Sequence, residues 1–128
     1  MKIDHVGYAV KSIEKAKGVL EEIGYAFEQV IRDESRGVDI LFGELDGYRV
    51  ELIAPSRDGS PIDKYLSEIG PTPYHICYQS DDLEDDIARL KGKRFSIAVP
   101  PAPATAFDGR RVVFMYSLAV GLIEIVEN

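Results

Sequence analysis

Two histidines stand in the chain of 128 residues, His5 and His75. Each lies early in a stretch that alternates apolar and other side chains, "IDHVGYAV" and "PYHICYQS". Two glutamates, Glu51 and Glu124, lie in stretches of the same kind, "YRVELI" and "LIEIVE". Imidazole nitrogens and carboxylate oxygens together form a mixed donor set that suits one divalent ion, with Ni, Zn, Co, Mn and Fe all open choices. With four protein ligands, a six-coordinate ion keeps two positions for water or substrate oxygens. The ion can then polarise a carbonyl, and a carboxylate beside it can carry a proton.

Each of these residues taken singly has an ordinary explanation, since a lone His or Glu on a strand is most often solvated or hydrogen-bonded. Their equivalence is what argues for a site. Ile13 and Leu20 follow His5 by eight and fifteen residues, and Leu83 and Leu90 follow His75 by the same intervals. Glu51 comes 46 residues after His5, and Glu124 comes 49 after His75. Side chains alternate faces along a strand. His5 therefore opposes Val6, Tyr8 and Val10, and Glu51 opposes Val50 and Leu52. His75 likewise opposes Ile76 and Tyr78, and Glu124 opposes Ile123 and Ile125. Four times an apolar face is expected to pack on helices while a metal-capable side chain points the other way.

The elements that must hold these residues can be read in order. Residues 3–10 read as a strand. Ser12 reads as a helix N-cap, followed by Ile13, Ala16, Leu20 and Ile23 at helical spacing and by Gly24 as the stop. Residues 26–33 and 37–45 read as strands, and Asp46-Gly47 as a tight hairpin into Tyr48–Ile53. Ser60-Pro61 is expected to open a short helix carrying Ile62, Tyr65, Leu66 and Ile69. A second strand–helix unit follows, with a strand at 74–80, a helix capped by Asp81 or Asp82 and a strand at 95–99. Pro100-Pro101-Ala102-Pro103 reads as a loop. Asp108-Gly109 reads as a turn, and 112–117 and 122–127 as the last strands. Two βαβββ units in one domain spanning 1–128 are the economical arrangement: module one 1–54, a linker 55–72, module two 73–128.

Composition narrows the partners. Apolar residues make up 45% and charged residues 29%, ordinary for a globular chain. The net charge of -7, from 15 basic against 22 acidic residues, repels phosphate backbones and disfavours nucleic acid as a partner. One cysteine, Cys77, allows no internal disulfide, which fits a reducing compartment. No basic-then-apolar leader opens the sequence, and no apolar run approaches the roughly 20 residues of a membrane helix. A cytoplasmic protein is expected.

The segments "IDHVGYAVKSIEKA", "GYRVELIAP", "SPIDKYLSEIG", "PYHICYQSDDLEDDIARLK" and "GLIEIVEN", in this order over nearly the whole chain, resemble the vicinal oxygen chelate superfamily. The resemblance is to the group holding glyoxalase I and methylmalonyl-CoA epimerase. It implies an α+β fold in which paired βαβββ modules form a curved, mostly antiparallel sheet around a metal, the glyoxalase/bleomycin-resistance fold. It implies His5, Glu51, His75 and Glu124 as the metal ligands. It implies proton abstraction and return beside a metal-held carbonyl through an enediolate, with Glu124 as the base and Glu51 next; Glu34 in "RDESRG" is a weaker second base. Glu51 is the glyoxalase-like choice where many epimerases carry Gln, so a glyoxalase I (lactoylglutathione lyase) activity is the first expectation and methylmalonyl-CoA epimerase the alternative. The linker "SPIDKYLSEIG" is the more epimerase-like segment. The loop "PPAPATAFDGRRVVFMYS" departs from the Gly-rich segment and His-Pro common in epimerases, and no glutathione-specific motif is present.

The partner implied is a small-molecule thiol adduct or an acyl thioester, in a homodimer. Arg36, Lys64, Arg110 and Arg111 are candidate anchors for a carboxylate or phosphate, although exposed Arg is the plainer expectation for each. Cys77 shares the face of His75 and is expected to be a buried structural thiol. An antibiotic-sequestering binding protein is a further alternative, disfavoured by the intact quartet. An extradiol dioxygenase is disfavoured by the fourth ligand.

Overall fold

The computed structural model describes residues 1–128. Strand β1 (Lys2–Ala9) ends just before Ser12, whose hydroxyl accepts from Lys15 N at 3.3 Å and starts helix α1 (Ile13–Ile23). Gly24 ends that helix at φ 121, a conformation that glycine adopts without strain. Strands β2 (Ala26–Phe27) and β3 (Ile31–Asp33) follow, then β4 (Val38–Leu45) and β5 (Tyr48–Pro55). The β4–β5 turn puts Asp46 and Gly47 at φ 55 and 80, as a two-residue hairpin of this twist requires. Helix α2 (Asp63–Glu68) precedes β6 (Thr72–Ser80). Helix α3 (Leu83–Lys91) is capped by Asp82, whose carboxylate accepts from Asp85 N at 3.0 Å. Strand β7 (Ser96–Pro103), one 3-10 turn (Thr105–Phe107), β8 (Arg111–Ser117) and β9 (Gly121–Glu127) complete the chain. None of the helices is long and apolar enough to cross a membrane.

The chain forms two compact units, His5–Tyr74 and Met1–Asp4 together with His75–Asn128. In the first, the strands run β2-β4-β5-β1, with β3 also paired to β4. In the second they run β6-β9-β8-β7. The two units share one plan. The His-bearing strand lies parallel to the Glu-bearing strand, β1 beside β5 and β6 beside β9, and the remaining neighbours are antiparallel. The observed architecture is thus α+β with two βαβββ modules.

Each unit has its own apolar core. Val10, Leu41, Leu52 and Ala54 pack with Tyr8, Phe27 and the α1 residues Ile13, Ala16 and Leu20. Val113, Met115, Ile123 and Ile125 pack with Leu83 and Ile87 of α3, with Tyr78 and Leu90 at the margin. Burying side chains of this size gives roughly 1.5–3 kcal/mol each. The expected helix-facing stripes are largely present, but Ile23 at the end of α1 is 61% exposed and Ile76 38%.

Three local readings need correction. Residues 26–33 are two short strands, because the pairing with β4 slips by one residue between Phe27↔Gly43 and Ile31↔Ile40, as a bulge produces. The short helix starts at Asp63 without a side-chain cap, while the Asp63 carboxylate accepts from Gly59 N and Ser60 N at 3.0 Å and holds the Ser60-Pro61 turn ahead of it. Ile62 and Leu66 are buried there, but Ile69 is exposed. Pro100–Pro103 is not a loop but the end of β7. That strand is terminal in its sheet order and shifts register twice against β8, between Ile97 and Val99 and between Val99 and Ala102. An edge strand with bulges tolerates prolines that cannot donate to a ladder.

Candidate metal centre

Each unit builds one histidine–glutamate pair, by the same means. Gly7, two residues beyond His5, is the parallel partner of Glu51. Cys77, two residues beyond His75, is the parallel partner of Glu124. The i, i+2 relation keeps His and the Glu-paired residue on one face of their strand, so imidazole and carboxylate meet diagonally across the ladder. His5 Nε2 lies 3.0 Å from Glu51 Oε2, and His75 Nε2 lies 3.0 Å from Glu124 Oε2. All four residues are buried, at 1% to 4% exposure.

The separation in the first pair is within hydrogen-bond range, yet no hydrogen bond forms at the glutamate oxygen. Glu51 Oε2 is buried and accepts no hydrogen bond, although His5 Nε2 is its near neighbour. A buried acceptor left without a hydrogen bond costs roughly 1–3 kcal/mol, and more when charged. A cation held by this nitrogen and this oxygen would remove that penalty. The donor set and this orphaned oxygen fit a divalent metal.

Two aromatic rings absent from the sequence reading belong to these pairs. Phe42 meets the His5 ring edge-on, with centroids 5.5 Å apart and planes at 74°. Phe114 meets the His75 ring at 5.4 Å and 90°. Phe42 is the cross-strand partner of Glu51, and Phe114 that of Glu124. Strand register, which single-sequence spacing does not fix, is what would have revealed them. Arg49 adds a cation over the Phe42 ring at 3.9 Å.

The basic residues considered as anchors are mostly engaged. Arg36 bonds the carboxylate of Asp33 at 2.9 Å. Burial pushes the Asp33 carboxyl up, but the Ser35 hydroxyl and the Arg36 guanidinium outweigh it and hold its pKa below the ordinary value. Arg111 grips Glu127 at 2.7 and 3.0 Å and Glu84 at 2.9 Å; its hydrogen bond lowers the Glu127 pKa. Arg110 donates to the main-chain oxygen atoms of Phe107 and Glu127. These arginines tie strands and turns together. Glu34 is exposed in the turn after β3, and its carbonyl accepts from Arg57 at 2.5 Å. Cys77 is fully buried.

The family model for the glyoxalase/bleomycin resistance protein/dioxygenase superfamily matches residues 4–114. The chain belongs to that superfamily. Among relatives within it, the chain is 30% identical to ethylmalonyl-CoA/methylmalonyl-CoA epimerase of Cereibacter sphaeroides, over 90% of this chain and 87% of that protein. It is 26% identical to the mitochondrial methylmalonyl-CoA epimerase of Dictyostelium discoideum, over 99% of this chain and 78% of that one. A crystal structure of a hypothetical protein from Bacillus halodurans C-125 superposes with a TM-score of 0.87 at 27% identity, covering 99% of this chain and 94% of the other. These relatives shift the balance from the glyoxalase I-like activity expected first to the epimerase alternative.

Proposed function

We propose that the protein is a metal-dependent epimerase acting on an acyl-CoA thioester, with His5, Glu51, His75 and Glu124 holding one divalent metal. The observation that carries this reading is the repetition of one buried pair, His Nε2 to Glu Oε2 at 3.0 Å, in both units. The names borne by the epimerase relatives supply the substrate class. A divalent metal, when bound, lowers the cost of charge building on a thioester oxygen.

The protein's own groups do the rest. A proton on the carbon beside the thioester carbonyl must be taken from one face and returned to the other. Two carboxylates can divide that work, whereas one fixed carboxylate returns the proton where it found it. Glu124 is the base we assign first and Glu51 the second; Glu34 is the outer alternative for the second role. Burial of Glu51 and Glu124 at 4% exposure keeps bulk water from quenching the carbanionic carbon. Phe42, 2% exposed beside His5, extends that dry surround.

The test is incubation of one methylmalonyl-CoA epimer in deuterium oxide with added Co, Zn, Ni or Mn. Inversion together with deuterium at the α-carbon is the expected result. Glu51 favours a second reading, a glyoxalase I-like proton transfer, so methylglyoxal with glutathione is run alongside. Turnover of the hemithioacetal and inertness to the acyl-CoA would replace the epimerase assignment.

A further inference from the structure

We infer that Phe42 and Phe114 are a matched pair of positioning residues, each setting the plane of one histidine so that its Nε2 faces the metal point. The inference rests on the metal reading above for its purpose but not for its geometry. Each ring meets its imidazole edge to face, at 5.5 Å and 74° in one unit and 5.4 Å and 90° in the other. Centroid separations of this size are those at which aromatic edges and faces attract.

The match is not inherited from sequence spacing. Phe42 precedes Glu51 by nine residues and Phe114 precedes Glu124 by ten. The first hairpin turns through Asp46-Gly47, closing on Leu45↔Tyr48, and the second through three residues, closing on Ser117↔Gly121. The extra loop residue is absorbed, and both rings still fall opposite their glutamate. Filling of an apolar core explains one phenylalanine; it does not explain the same ring at the same register position against the same partner twice. A ligating imidazole needs its plane held within about 10–20°, and an edge-on ring blocks rotation about the bond that would turn Nε2 away.

The two clamps differ in one respect. Arg49, two residues before Glu51, lies over the Phe42 ring at 3.9 Å. The matching position before Glu124 is Leu122. Phe42 is 2% exposed, and Phe114 is half-buried.

Because the chain has only two histidines, nitrogen-15 NMR of the metal-free protein gives two imidazole signal sets. Phe42→Leu is expected to move the His5 set and spare that of His75, and Phe114→Leu the reverse. Each variant should weaken Co(II) binding about 2- to 12-fold, the range an edge-to-face pair supports, and shift the visible Co(II) spectrum. Phe114→Tyr, which keeps the ring, should restore both. If Phe42→Leu does not fold, Phe114→Leu at the half-buried position decides. Unchanged imidazole signals together with Co(II) affinity within twofold of the parent would overturn the inference while leaving the metal reading intact. Selective imidazole shifts in a protein that takes up no metal would do the opposite.

Discussion

Removing one ligand should abolish a large metal-dependent gain in thermal stability, and the size of that gain can be worked out. A ligand that binds only the folded state stabilises by RT ln(1 + [L]/Kd), about 2.7 kcal/mol at a hundredfold excess over Kd. Unfolding entropy scales with length at roughly 2.1 cal/mol/K per residue, giving about 0.27 kcal/mol/K for 128 residues. Metal added to chelator-treated protein should therefore raise Tm by about 10 °C. His75→Ala deletes one imidazole and leaves the His5–Glu51 pair in the other unit untouched. Should that loss weaken binding about a thousandfold, the ratio [L]/Kd drops to about 0.1 and the gain falls below half a degree. The assay is differential scanning fluorimetry of both proteins with chelator, then with Zn, Co, Ni or Mn at fixed concentration. An identical rise in His75→Ala and the parent would place the metal elsewhere. No rise in the parent with any of the four would remove the metal from the proposal.

Glu124→Gln should reduce both α-proton exchange and inversion at least a hundredfold, the lower end of what a general base contributes. Glu51→Gln should impair inversion more than exchange, and proton NMR in deuterium oxide separates the two. Gly43→Ala should destabilise by about 1–3 kcal/mol through overpacking, since its Cβ would fall 2.4 Å from Cε1 of Phe27; thermal denaturation reads it, and Phe27→Leu in the same chain should recover part. Ser35→Ala should destabilise more at pH 7 than in acid. The Ser35 hydroxyl donates to Asp33 at 2.6 Å and helps hold that carboxyl's pKa down. A depressed carboxyl stabilises above its unfolded value, near 3.9, and loses that contribution as pH falls through the folded value. Urea denaturation at pH 7 and at pH 3 should show a larger advantage of the parent at the higher pH.

Much of the framework was legible because local chemistry and tertiary structure agree. Ser12, Asp82, Gly24 and the Asp46-Gly47 turn act where the sequence places them, each satisfying main-chain groups or a positive φ that few other residues accommodate. The misread segments are those where pairing overrides local preference. Pro100, Pro101 and Pro103 look like strand breakers, yet β7 is terminal in its sheet order and has no ladder to break on its outer side. Glu28–Val30 look like strand, but a one-residue slip against β4 interrupts it. For the site, residue types and the repeat picked out the four ligand candidates, and the structure sets His5 beside Glu51 and His75 beside Glu124. The two phenylalanines escaped notice because nine- and ten-residue offsets do not announce equivalence until the hairpins close.

The burial of the four polar residues argues for function on energetic grounds. Apolar replacements of similar size at these places are often neutral or stabilising, because ionic and polar groups lose hydration when buried. Elsewhere in this chain a buried carboxylate is well supplied: Asp33 accepts from Ser35 and twice from Arg36, and Asp86 accepts from Ser80 at 2.6 Å and from Arg89. Both are structural, and both have pKa values below the ordinary carboxylate range. Glu51 stands apart from them. It is as deeply placed, and its Oε2 accepts no hydrogen bond. A fold that satisfies Asp33 and Asp86 so fully can satisfy a buried glutamate, and at Glu51 it leaves an oxygen available instead. That contrast within one molecule supports the proposed ion site at Glu51 and sets it apart from carboxylates held for stability.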